Sequence, residues 1–91
     1  MAEPVRQYVI TPHAAFEMAR RRVVESIVRG VLAAPEQRHP VRAGREVLQS
    51  RIVFDGTSYL VRVFVDVDRS PAEVVTVYRT SRIAKYWRAV P

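Results

Sequence analysis

Cysteine is missing from the 91 residues. That excludes disulfides and thiolate metal sites and suits a reducing cytoplasm. Histidine occurs only at His13 and His39, too few for a dedicated zinc site, so neither a metal nor another cofactor is expected. No apolar run approaches the roughly 18 residues needed to cross a bilayer. Met1-Ala2-Glu3-Pro4 lacks the charged-then-apolar pattern of a signal peptide. Internal repeats and low-complexity segments are also absent. Lysine is nearly so: of fifteen cations, fourteen are Arg and one is Lys85.

What is present describes a single small globular domain, 48% hydrophobic and 26% charged. Its strongest feature is a net charge of +6 at pH 7. Arginine suits planar, bidentate contact with phosphate and stacks on bases. Nucleic acid or an acidic protein is therefore the expected partner. A membrane is not expected, because no long basic amphipathic helix is evident.

Along the chain, residues 1–10 form a lead-in or edge strand that includes Tyr8-Val9-Ile10. Residues 11–35 read as a helical pair. Thr11-Pro12 supplies a hydroxyl N-cap and a proline at the first helical position. After a break near Arg22-Val23, a second helix from Glu25 to Ala34 carries the stripe Ile27, Val28, Val31 and Leu32 and is ended by Pro35. Glu36 to Arg45 is a polar, basic connection. Residues 46–80 form an antiparallel meander, and 81–91 a basic C-terminal tail with a short helical turn. The expected fold is α+β, with two N-terminal helices on one face of a three- to four-stranded antiparallel sheet. A fourth strand would come from Tyr8–Ile10 or from around Val41.

Asp55-Gly56 is a strong hairpin signal. A two-residue loop there pairs Phe54 with Thr57, Ile52 with Tyr59, Ser50 with Val61 and Leu48 with Val63. The core face then holds Leu48, Ile52, Phe54, Tyr59, Val61, Val63 and Val65, joined from the third strand by Val75 and Val77. The opposite face, left bare by the helices, carries Val47, Gln49, Arg51 and Val53. Beside them stand Leu60, Arg62, Phe64 and Asp66, then Val74, Thr76 and Tyr78. Gln49 falls opposite Arg62, and Arg62 opposite or diagonal to Tyr78.

A guanidinium in a middle strand needs water, a carboxylate or a phosphate. One reading pairs Arg62 with Asp66 on a half-buried sheet. The other makes it an anion site flanked by Leu60 and Phe64. Cleaving RNA without a metal requires acid–base groups at the 2′- and 5′-oxygens and cations at the phosphorane. Arg62, Arg79 and Arg51 can act only as cations. Proton-transfer candidates are His13, Tyr78, Lys85, Tyr86 and, behind them, Glu46 or His39. Imidazole titrates nearest neutrality, whereas a phenol acts as a base only beside cations. Arg20-Arg21-Arg22 reads as a solvated helix end, and His39 lies in a loop with no assigned role.

The stretches Thr11-Pro12-His13-Ala14 with Phe16 and Met18, then Arg22 and Leu32-Ala33-Ala34-Pro35-Glu36, resemble the first half of a known family. Leu60-Val61-Arg62-Val63 and Val75-Thr76-Val77-Tyr78-Arg79-Thr80-Ser81-Arg82-Ile83-Ala84-Lys85-Tyr86 resemble its second half. It is a family of small proteins related to the BrnT toxins within the RelE/ParE toxin superfamily. The resemblance implies bacterial or phage origin, a cognate antitoxin and metal-independent cleavage of RNA, free or on the ribosome. Its shared positions fall on His13, Arg62, Tyr78, Arg79, Lys85 and Tyr86. The expected catalytic set is His13, Arg62, Tyr78, Arg79 and Lys85; the expected nucleic-acid contacts are Gln49, Arg51, Arg82 and Tyr86. The alternatives are a non-catalytic module binding nucleic acid or protein, and a toxin acting on a protein target such as gyrase.

Overall fold

The structure is a computed structural model that describes residues 2–89. The first residue of the 1–10 lead-in and the last two of the 81–91 tail lie outside the described residues. In chain order come β1 (Tyr8–Ile10), α1 (Pro12–Arg20), α2 (Glu25–Ala33), β2 (Gln37–Arg42), β3 (Arg45–Phe54), β4 (Thr57–Asp66), β5 (Ala72–Thr80) and α3 (Ile83–Tyr86). No helix among the described residues is long and apolar enough to cross a membrane.

The class is α+β, but the sheet is five-stranded and mixed, ordered β1-β5-β4-β3-β2. This corrects the expected three- to four-stranded antiparallel sheet. Both flanking segments form strands. β1 lies parallel to β5, pairing Tyr8–Ile10 with Ala72–Val74, and β2 lies antiparallel to β3. Neither has a telling pattern of its own. β1 has three residues, and β2 is polar and contains Pro40, which an edge strand accommodates because one of its sides has no ladder to complete.

The chain leaves β1 at one sheet edge and reaches β2 at the other, so α1 and α2 must cross one face between them. They cover it with Ala14, Met18, Val28, Val31 and Leu32, packed on Leu48, Val61, Val63, Val65, Val74 and Val77. Thr11 caps α1 as expected, its Oγ1 accepting from the Ala14 N–H at 3.1 Å. The helix ends in a Schellman turn: Val23 N–H donates to Met18 O at 2.9 Å and Arg22 N–H to Ala19 O at 3.3 Å. Arg22 occupies the left-handed position, φ 57°, that glycine usually fills, while Val23 and Met18 enter the core together. No side chain caps α2.

At the β3–β4 hairpin, Asp55 and Gly56 have φ 49° and 80°, as a two-residue turn requires. Its register is the expected one throughout, from Phe54↔Thr57 to Arg45↔Asp66. β5 departs from expectation. The register shifts between Phe64 and Val65, where Thr76 pairs with Phe64 but Val74 with Val65, leaving Val75 as an extra residue. Val74 is consequently in the core and Val75 only half-buried. Counting by twos fails across a bulge.

Ion pairs brace the sheet and helices. Arg45 grips Asp66 with two hydrogen bonds of 2.7 and 3.1 Å, so Asp66 is not the partner of Arg62. The Asp66, Glu17 and Glu36 carboxyls are held below their usual range, chiefly by hydrogen bonds from Arg45, Arg20 and Arg51 that outweigh burial. Each such group stabilises the fold above its unfolded value and loses that contribution as pH falls through the folded one. The urea midpoint is therefore expected to fall as pH drops from about 5 toward 3, and Arg45→Met to flatten part of that fall. Arg22→Gly is expected to raise stability at pH 7 by roughly 0.5 to 1 kcal/mol, read from the same melts.

Candidate functional site

Four strands contribute to one row of polar side chains: Gln37 pairs with Gln49, Gln49 with Arg62, and Arg62 with Tyr78. The row lies on the face opposite α1 and α2, where the pleat puts every residue in register with Arg62. Arg62 Nε donates to Gln49 Oε1 at 2.8 Å, and Nη1 donates to the Tyr78 hydroxyl oxygen at 2.6 Å. The guanidinium carbon lies 4.5 Å from the Tyr86 ring centroid, 5.2 Å from that of Phe64 and 5.7 Å from that of Tyr78. Phe64 and Tyr78 stack with centroids 5.9 Å apart. Among the described residues no carboxylate pairs with Arg62. The cation sits half-buried in a neutral box.

That face is not bare. The chain after β5 folds back across it, which corrects the expected open sheet. Gln49 Nε2 donates to Tyr86 O at 3.1 Å and to Gln37 Oε1 at 2.8 Å, and Gln37 Nε2 donates to Arg88 O at 2.7 Å. The Arg51 guanidinium stacks on Trp87 at 4.2 Å. Val47, Gln49 and Leu60 are consequently 0% exposed although they lie outside the helix-side core. Gln49 was expected to touch nucleic acid directly, yet its amide is occupied in holding Arg62 and the returning segment. Tyr86, Lys85 and Arg88 form the outer surface instead.

The structure separates the other expected residues. Val61 pairs with Arg79 and faces the helices, so Arg79 lies on the opposite side of the sheet from Arg62. There its guanidinium covers Phe54 at 4.4 Å and Tyr59 at 4.7 Å. Arg62 and Arg79 cannot clasp one phosphate. His13 is exposed in the first turn of α1, and no contact links it to the Arg62 cluster. Arg51 is engaged by Glu36 through bonds of 2.8 and 3.1 Å. Arg82 is exposed just before α3. Lys85 stands at the rim, its Nζ 5.3 Å from the Tyr86 ring.

Three residues that the expected catalytic and nucleic-acid sets left out lie on or near this face. Arg21, at the end of α1, reaches 5.6 Å from the Tyr78 ring. Arg88 is tied to Gln37 through its backbone N–H, at 3.1 Å, as well as its carbonyl. His39 is on strand β2 rather than in a loop. Pairing with Val47 two residues from the Gln37–Gln49 pair, it shares the face of Arg62. Its imidazole is held below the ordinary histidine value by burial first, then by the charges of Arg88 and Arg62. Only recognition of β2 as a strand would have revealed that parity.

Charge converges on the same region. Among the described residues, every acid but Glu3 and Asp55 lies within 4.0 Å of an arginine nitrogen. Eight cations have no such partner among the described residues: Arg62, Arg79, Arg82, Lys85 and Arg88 lie on β4, the end of β5 and the segment beyond, while Arg6, Arg22 and Arg42 lie elsewhere. No group of three or more His, Cys, Asp or Glu side chains that could hold a metal comes together among the described residues. Comparison with protein families, curated proteins and solved structures returns no match to this chain.

No buried side-chain nitrogen or oxygen lacks a partner among the described residues, and Gln49 is central to that. Gln49→Leu is expected to cost about 2 kcal/mol in urea unfolding, because it strands an Arg62 N–H and the Tyr86 carbonyl. Tyr78→Phe, which removes one acceptor at a half-buried position, is expected to cost about 1 kcal/mol.

Proposed function

We propose that the face bearing Arg62, Tyr78 and Tyr86 takes the RNA backbone, and that the chain is a toxin-like, metal-independent endoribonuclease. In this reading it works in the cytoplasm, in a bacterial or phage system with a cognate antitoxin. The observation that supports it is the Arg62 guanidinium, positioned by Gln49 and Tyr78 and left without a countercharge among the described residues. A structural arginine at a half-buried position normally acquires a carboxylate, as Arg45 does here. Neutral acceptors orient Arg62 while preserving its charge for an incoming anion.

The surroundings fit the steps of RNA cleavage. Arg62 would stabilise charge developing on the phosphorane. The Tyr78 oxygen accepts from Arg62, which leaves its proton free to point outward to a leaving oxygen. Tyr86 and Phe64 offer rings on which an unpaired base can stack, and Lys85 adds charge at the rim. Arg79, on the other sheet face, and His13 take no part at this phosphate.

The test is incubation of the purified protein with RNA, with and without ribosomes, beside Arg62→Ala checked for folding by thermal melting. Cleavage is expected from the wild type, falling about 100-fold or more in the variant. Undiminished cleavage by a folded Arg62→Ala protein would remove this site. RNA retained with a steep salt dependence and no product would make the face a binding module, and neither binding nor cleavage would overturn the reading.

A further inference from the structure

Where β3 runs on past the start of β2, a cavity of about 400 Å³ is lined by Ala34, Glu36, Arg51 and Trp87. Arg51 stands two residues beyond Gln49 on β3 and pairs with Leu60, so its side chain shares the face of Arg62. Gln49 links the two places. Its Oε1 accepts from Arg62 at 2.8 Å, its Nε2 donates to the Tyr86 carbonyl at 3.1 Å, and Trp87 follows in the chain. The Trp87 ring centroid then lies 4.2 Å from the Arg51 guanidinium carbon. Glu36 grips that guanidinium with both oxygens, at 3.1 and 2.8 Å, and its Oε1 also accepts the Arg51 backbone N–H at 2.8 Å. Ala34, exposed at the end of α2, brings no more than a methyl group to the cavity.

The two neighbouring places differ in charge. Arg62 has no carboxylate partner among the described residues, whereas the charge of Arg51 is offset by Glu36. A phosphate is therefore held better at Arg62 than in the Arg51 cavity. What the cavity offers is a flat stacking surface with polar atoms at its rim. Among the described residues, Arg51 Nη1 makes no hydrogen bond and Glu36 Oε2 accepts only one, so a donor and an acceptor both remain. A neutral, planar ring with donors and acceptors on its edge fits such a lining, and a nucleobase is such a ring.

Resting on the reading of Arg62 as the RNA-phosphate contact, we propose that the cavity between Trp87, Arg51 and Glu36 is a base-binding subsite. It seats the base of a nucleotide adjoining the phosphate at Arg62. The ring stacks on the Trp87–Arg51 pair while its edge meets Arg51 Nη1 and Glu36 Oε2. Every base has a face that stacks, so the subsite accepts all four, purines somewhat more tightly because they overlap more of the indole. The rows of Arg62 and Arg51 are one pleat repeat apart, about 7 Å along the strands, a separation within the length of a dinucleotide. The substrate is thereby single-stranded RNA, since the bases of a duplex are already stacked on one another.

Trp87 is the only tryptophan in the chain, so its emission reports on this cavity without turnover. The probes are a short non-cleavable 2′-O-methyl RNA oligonucleotide and a strand of the same length made of abasic residues, the binding of each followed by anisotropy of an end-attached dye. The base-bearing strand is expected to change the Trp87 emission saturably and to bind about 10-fold more tightly than the abasic strand, which leaves the emission unmoved. Ala34→Leu fills the cavity without touching the Trp87–Arg51 stack. It is expected to melt like wild type and to bind the base-bearing strand about 10-fold more weakly. Base-bearing RNA that binds without moving the emission overturns the subsite, as does a folded Ala34→Leu protein that binds like wild type. Arg62→Ala tests the underlying reading separately: it should weaken both strands alike, and undiminished binding of the abasic strand would remove the phosphate contact at Arg62. A Trp87 response in a protein that never cuts RNA upholds the subsite and removes only the enzymatic reading. Failure of both strands to bind overturns both.

Discussion

One buried amide joins the parts of this structure that matter for its surface chemistry. Gln49, 0% exposed, accepts from Arg62 and donates to Gln37 and to the Tyr86 carbonyl. It thereby connects β4, β2 and the C-terminal segment through a single side chain on β3. A buried amide is tolerable only when its polar atoms find partners, so the position of each attached group follows from the others. Arg62 is aimed because Gln49 is satisfied. The returning segment stays because its carbonyl completes the set.

The two sheet faces are thus held by different forces. Aliphatic burial beneath α1 and α2 makes one a conventional core. The other is closed by hydrogen bonds and by guanidinium–aromatic contacts, Arg62 with Tyr86 and Arg51 with Trp87, each worth about 0.5 to 2 kcal/mol depending on desolvation. α3 buries none of its side chains. A cover attached in this way leaves polar and aromatic groups near solvent.

Charge placement follows the same division. Most acids sit beside arginines along the helices and sheet, so the excess of positive charge is not spread evenly. Five of the eight cations left without a carboxylate partner among the described residues lie on β4, the end of β5 and the segment beyond. Arg79 shows that proximity in sequence is a poor guide to partnership. Tyr78 and Arg79 are neighbours in the chain, yet they face opposite sides of the sheet and stack with different aromatic groups.

Local chemistry in the sequence determined much of this protein. The Thr11-Pro12 start, the Pro35 stop, the Asp55-Gly56 turn and the full β3–β4 register depend on residues close together, so they could be read without coordinates. So could the pairing of Gln49 with Arg62, because pleat parity propagates from one well-defined turn, whereas Tyr78 could be placed only opposite or diagonal to Arg62. Only the tertiary structure decided the rest. The parallel pairing of β1, the Val75 bulge and the strand character of β2 depend on partners distant in the chain. The closing of the second face does too, since it rests on contacts spanning up to 51 residues, such as Gln37 with Arg88. No local periodicity encodes such contacts. They form because buried polar groups must be satisfied wherever the chain brings a partner, and that need tied the Arg88 backbone to Gln37 and the Tyr86 carbonyl to Gln49.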